Sequence, residues 1–278
     1  MMSHLIKPWL FLSTLSITLL MGGFFLAERK GLLVGFAIVI SINFLVYFYG
    51  DIRLRKIFGG QVLLGQDAWQ LEETVTQLSH QARIPRPQII LLPHRLPTTF
   101  STGRNWQRGT IYITEGLLKI LTTEEVRAVL AFEIAKIKRL DTLTFGISSS
   151  LSGALMAFPI ALDRWFLSSP LSRRNGAAFL LQSMTSWFAS LPIHLSVASA
   201  HYYAADALGA KLTGEPQALA QALWKLHSYA GSDTADIPPS TGHIFIVNPL
   251  HSGQIYRPFV AHPPVEKRIE KLVGYFPI

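Results

Sequence analysis

Glu133 is the residue of this chain with the clearest chemical setting. It stands in the hexapeptide Ala131 to Lys136 (AFEIAK), which has the frame of the helical metal motif His-Glu-x-x-His. That motif works because side chains four residues apart share a helix face. Two imidazoles can then hold one metal ion while the glutamate between them polarises a metal-bound water. Here Phe132 and Lys136 stand where the imidazoles would be, and only the glutamate is left. Zinc lowers the pKa of bound water from about 15.7 to about 7. General-base help alone is worth about 10² to 10⁴ in rate, whereas enzymes commonly deliver about 10⁶ or more. Glu133 by itself therefore does not make a protease. A relocated metal site would need about three convergent ligands, and the histidines at 80, 94, 201, 227, 243, 251 and 262 include no i, i+4 pair.

The elements that must position Glu133 are readable around it. Thr122 and Glu125 have the spacing of a capping box, so the motif helix is expected to start there and run to about Arg139. Trp69, Leu71, Val75 and Leu78 fall near one face of a helix over Ala68 to Ala82. Pro85 and Pro87 then separate it from an apolar strand, Gln88 to Leu92. Thr110 to Thr114 alternates as an edge strand would. The stretch from Gly231 to Gly242, rich in Ser, Asp, Thr and Pro, reads as a mobile loop.

From about Asp51 to Leu272 the chain resembles the HtpX-type membrane zinc metalloproteases, relatives of the CAAX prenyl proteases. Five ordered blocks carry the resemblance: Thr98 to Arg104 (TTFSTGR), Thr110 to Leu118 (TIYITEGLL), the degraded motif within Glu124 to Asp141, His201 to Gly214 (HYYAADALGAKLTG), and a closing signature in two pieces, Ile244 to Leu250 (IFIVNPL) and His262 to Leu272 (HPPVEKRIEKL). The resemblance implies an α+β fold: a mainly helical zincin-like domain with a small sheet. It implies that the third zinc ligand, a glutamate four residues before the Asp of an Ala-Asp pair, would fall at Tyr202, with Asp206 as the supporting acid. All three expected ligand positions, Phe132, Lys136 and Tyr202, are thus replaced, and Glu133 is a family-equivalent base in vestigial form. Thr98 replaces the family's asparagine beside the substrate strand, so Thr98 and Tyr112 are the groove candidates. In active relatives such an edge strand would pair with an extended substrate through backbone groups, a mode that could outlive the metal. Phe132 and Tyr202 are expected to fill the emptied metal cavity. Lys136 is expected to place its ammonium near the lost zinc, paired with Glu133 or Asp206.

Composition sets the location. Nearly half the residues, 49%, are hydrophobic, and the mean hydropathy of +0.31 points to membrane segments. Trp9 to Ala27 and Gly31 to Tyr49 contain no charged side chain over 19 residues each, and the charged Glu28, Arg29 and Lys30 lie between them. That length suits a hydrocarbon core of about 30 Å. Phe25 sits where a small residue would precede cleavage, so the first stretch is expected to stay as a span. Phe145 to Leu162 and Ala177 to Ala200 also lack Asp, Glu, Lys and Arg and are expected to form a second hairpin.

The expected organisation is a two-helix hairpin over 1–50, a first domain part over 51–144, a second hairpin over 145–200 and a second domain part over 201–278. Basic residues near the span ends favour a cytoplasmic domain only slightly. The family resemblance, which implies a cytoplasmic catalytic domain and a bacterial inner membrane, decides it. The chain has no cysteine, consistent with a reducing side. A net charge of +8 invites a nucleic-acid partner, but the basic residues cluster at span ends without a recognition motif, so anionic lipid explains them better.

The sequence is therefore expected to encode a membrane pseudoprotease with no cofactor, acting through a membrane-protein or peptide partner, with no nucleic acid, in a protein quality-control setting. Two alternatives stay open: an active zinc endopeptidase with unconventional ligands, and a structural subunit of a membrane complex.

Overall fold

The computed structural model describes residues 3–63, 67, 69–167, 177–230, 237–250 and 257–275. It begins with a long helical hairpin, α1 (Ser3–Phe58), broken at Ala27 and Glu28, the latter at φ 45°. The two arms approach closely because Gly23 and Gly31 face each other. A Cβ on either would collide with the other's backbone. Asn43 Nδ2 donates to Ser16 Oγ across the arms at 3.2 Å. Among the described residues no helix is long and apolar enough to cross a membrane. Each of the four expected spans includes side chains outside the described set.

A four-stranded sheet follows. β1 (Gln61–Val62), β2 (Gln88–Leu92), β3 (Thr99–Thr102) and β4 (Thr110–Thr114) lie in the order β1-β2-β4-β3. β2 and β4 are parallel, and the two outer pairings are antiparallel. The expected helix starts at Leu71 as α2 (Leu71–Ala82), burying Leu71, Val75 and Leu78.

Thr110–Thr114 is not an edge strand. It is paired on both sides and all five of its residues are buried, and the edge is β3. The alternation misled because threonine looks solvent-facing but can satisfy its hydroxyl on buried backbone groups. Thr114 Oγ1 accepts from Thr98 N at 3.0 Å and from Leu117 N at 3.2 Å, the latter capping α3 (Glu115–Ile120).

The helix carrying Glu133 is α4 (Thr123–Lys138). Thr122 and Glu125 form both bonds of its capping box. Its residues from Ala128 to Ile137 are all buried, because α4 is covered on several sides. α5 (Asp141–Leu167) and α6 (Ala177–Ser196) form a helix pair against α1. α7 (Ser199–Thr213) crosses α4 at Gly209, where an added Cβ would lie 3.0 Å from the Phe132 backbone. α8 (Pro216–Tyr229) and α9 (Val265–Val273) complete the layer over α4 and α7.

One apolar core contains side chains from the sheet, α2, α4, α7, α8 and α9, so residues before and after the α5–α6 pair share it. The expected loop over Gly231 to Gly242 lies outside the described residues up to 236. Its remainder enters a 3-10 turn, Pro239–Ile244, whose Ser240, Thr241 and Gly242 are buried rather than free.

Candidate functional site: a buried lysine beside Glu133

The capping box and the α4–α7 crossing bring Phe132, Glu133, Lys136, Tyr202 and Asp206 into one buried region. Lys136 and Glu133 are three positions apart on α4. Lys136 Nζ lies 2.9 Å from Glu133 Oε2, with side-chain exposures of 1% and 0%. The ammonium also donates to the Ile244 carbonyl at 2.7 Å and lies 5.5 Å and 5.7 Å from the Phe132 and Phe145 ring centres. Burial pushes the Lys136 pKa down, and Glu133 opposes that shift. Ser101 Oγ donates to the same Glu133 oxygen at 2.6 Å. Glu133 Oε1 is buried with no hydrogen-bond partner.

Asp206 does not reach Lys136. Both of its oxygens are taken by Arg268, at 2.8 Å from Nε and 2.7 Å from Nη2. Burial pushes the Asp206 carboxyl up while Arg268 pulls it back. The fully buried Arg268 stacks over Phe132 and Tyr202, 5.1 Å and 5.6 Å from the ring centres, and also donates to the Ile246 carbonyl.

Tyr202 is 1% exposed and packs its ring 5.5 Å from Phe145 and 4.7 Å from His262. Its hydroxyl donates to the His243 carbonyl at 2.6 Å, and burial pushes its pKa up.

Two histidines complete the region. His243 Nε2 donates to the Phe145 carbonyl at 3.0 Å and His262 Nε2 to the Phe245 carbonyl at 2.9 Å. Carbonyl acceptors fix the proton on Nε2 in each ring. Burial lowers the His243 pKa to about 4 and the His262 pKa to about 3, and nearby cationic side chains add to both shifts. On the far side of Phe145, His201 Nδ1 and Asp141 Oδ1 approach to 2.6 Å.

Of the two groove candidates, Thr98 lines a cavity of about 340 Å³ with Phe58, His94, Thr114 and Ile237. Tyr112 does not line a groove. Its side chain is fully buried and stacks on Phe100 with 4.5 Å between ring centres, because β4 is an interior strand. Ser101, His243 and Arg268 are site residues that sequence reasoning missed. Arg268 carried a usable signal: it shares the i, i+3, i+4 face of α9 with Val265 and Ile269, so an arginine there must enter the core and find an acid.

Zinc takes about four deprotonated N, S or O donors at about 2.0 to 2.3 Å. Phe132 offers none, the Tyr202 hydroxyl is spent on a carbonyl, and an ammonium repels a second cation. The unpartnered acceptors Glu133 Oε1, His243 Nδ1 and His262 Nδ1 do not make up the difference. Among the described residues, no group of three or more His, Cys, Asp or Glu is arranged to hold a metal ion. The residues present do not fit zinc.

Comparison with known proteins gives the region a lineage. Residues 66–275 match the profile of peptidase family M48. A "Protease HtpX homolog" of Persephonella marina is 34% identical over 277 residues, covering 97% of this chain and 96% of that protein. One of Desulfatibacillum aliphaticivorans is 32% identical, covering 99% and 91%. The crystal structure of Ste24p from S. mikatae superposes with a TM-score of 0.51 at 17% identity, a likeness of fold that covers 96% of this chain and 65% of Ste24p.

Proposed function

We propose that this chain, which belongs to peptidase family M48, is a membrane-embedded pseudoprotease that keeps the protease scaffold without its zinc and acts by binding a membrane-protein or peptide partner. One observation carries the reading: an ammonium, Lys136 Nζ, is bonded at 2.9 Å to the carboxylate that would otherwise serve a metal-bound water. One oxygen of Glu133 is shared by Lys136 and Ser101, which commits it to protein partners.

The membrane part of the proposal, four spans in two hairpins with a cytoplasmic domain at a bacterial inner membrane, draws on outward-facing apolar side chains. Phe25 and Leu26 at the tip of α1 are 79% and 89% exposed, and Trp187 and Phe188 on α6 are 64% and 68% exposed. Large apolar groups so placed suit lipid better than water.

The second reading, an active zinc endopeptidase with unconventional ligands, is favoured by relatives named as proteases at 34% identity and by the retention of Glu133.

Elemental analysis of the purified full-length protein separates the two readings. The pseudoprotease reading expects well under one zinc per chain and no chelator-sensitive cleavage of an unfolded protein substrate. About one tightly held zinc per chain, with cleavage lost on Glu133→Ala, would overturn it.

A further inference from the structure

A peptide that adds to a sheet edge bonds to the edge strand's outward backbone groups and leaves its remaining carbonyls to be met by the site. β3 is such an edge, and it already has an occupant. Ile246 N donates to the Thr99 carbonyl at 3.1 Å, and Phe245 makes an antiparallel bridge to Phe100. Phe245 is extended (φ −73°, ψ 159°), with its ring 4.9 Å from Phe100 and 5.6 Å from Phe58.

The carbonyls of this stretch are met one after another by side chains. Tyr202 donates to that of His243, Lys136 to Ile244, His262 to Phe245 and Arg268 to Ile246. Four consecutive carbonyls thus each receive a side-chain donor, the first two at the end of the 3-10 turn and the last two on the residues that leave it along β3. Lys136 and Tyr202, two of the four donors, stand where the motif and the resemblance place metal ligands. The substitutions that remove metal donors also supply bonds to a peptide backbone.

We propose that Phe245 and Ile246, where the chain leaves the 3-10 turn, act as a built-in peptide seated on β3 in the manner of a bound substrate, and that they close the ancestral peptide edge to any extended partner. A partner reaches β3 only by displacing this stretch and otherwise binds elsewhere on the protein. The proposal rests on the metal-free reading for the roles of Lys136 and Tyr202. Its test reads the segment rather than the metal, so the two can fail separately.

The chain lacks cysteine, so Phe100→Cys with Phe245→Cys introduces the only two thiols. Bonding of Ile246 N to Thr99 O makes 100 and 245 a non-hydrogen-bonded pair, whose Cα separation of about 4.5 Å lies within disulfide range. Mild oxidation of the full-length protein in detergent is expected to join them within one chain. A folded double variant that stays reduced overturns the proposal.

Hydrogen exchange on the unmodified protein decides the matter if the double variant does not fold. The Ile246 amide should exchange about 10²-fold or more slowly than an unstructured amide, and Tyr202→Phe should speed exchange across 243–246 by about fivefold, the worth of one hydrogen bond. An Ile246 amide that exchanges at the unstructured rate overturns the proposal. So does a Tyr202→Phe variant with exchange at 243–246 unchanged.

Discussion

Arg268 and Lys136 are both buried cations lying against the Phe132 ring, and each is paired with one acid, but they satisfy that acid differently. The planar guanidinium meets both oxygens of Asp206 and still reaches a carbonyl. The ammonium meets one oxygen of Glu133, shares it with Ser101 and leaves Oε1 without a partner. A fork matches a carboxylate in one contact and a point charge does not. The difference separates a carboxylate satisfied on both oxygens from one satisfied on a single oxygen.

Removing the better-satisfied cation should have the larger effect. Arg268→Ala leaves Asp206 buried and unpaired and also frees the Ile246 carbonyl, so it is expected to cost about 5 kcal/mol, the upper end for breaking a buried pair. Denaturant unfolding of the detergent-solubilised protein measures it. A loss under about 1 kcal/mol would mean that water reaches Asp206.

Lys136→Met should cost less, about 3 kcal/mol, because Ser101 still bonds to Glu133. Adding Glu133→Gln is expected to recover most of that loss, since the double variant buries no net charge and Gln can still accept from Ser101. The same addition should not help Arg268→Ala. If Glu133→Gln rescues neither variant or both, the two pairs are not the separate units their geometry indicates.

The sequence disclosed these two units unequally. Lys136 and Glu133 are three apart on a helix whose start was written in Thr122 and Glu125, so their meeting follows from local geometry. The strand Gln88–Leu92 was likewise marked by an apolar run after two prolines. Asp206 and Arg268 lie on different helices 62 residues apart, and no local pattern links them. The stretch 243–246 was harder still, because it pairs with residues far away in sequence through a single bridge and has no period of its own. Its proline- and glycine-bearing lead-in resembles a loop. Burial of Ser240 to Gly242 comes from tertiary packing that composition does not report.

The smallest expected effect tests whether the two cations each suppress a neighbouring histidine. His243 is depressed to about 4 by burial and His262 to about 3 by burial; the hydrogen bonds to the Phe145 and Phe245 carbonyls oppose these shifts, while Lys136 adds to the first and Arg268 to the second. Both therefore stay neutral in the folded protein while the unfolded chain takes up protons near the ordinary value of 6.5. Lowered folded pKa values mean that stability is full above about pH 6.5 and falls as pH drops toward 4 and then 3. Each ring should contribute up to about 1.4 kcal/mol per pH unit in that window. Glutamine keeps an Nε2 donor but does not titrate, so His243→Gln and His262→Gln should each remove about half of the paired slope between pH 6.5 and 5. A slope unchanged in His243→Gln would mean that this ring is protonated in the folded state beside Lys136. The ammonium would then have to be neutral or displaced, and the contrast between the two cations would fail at the Lys136 side.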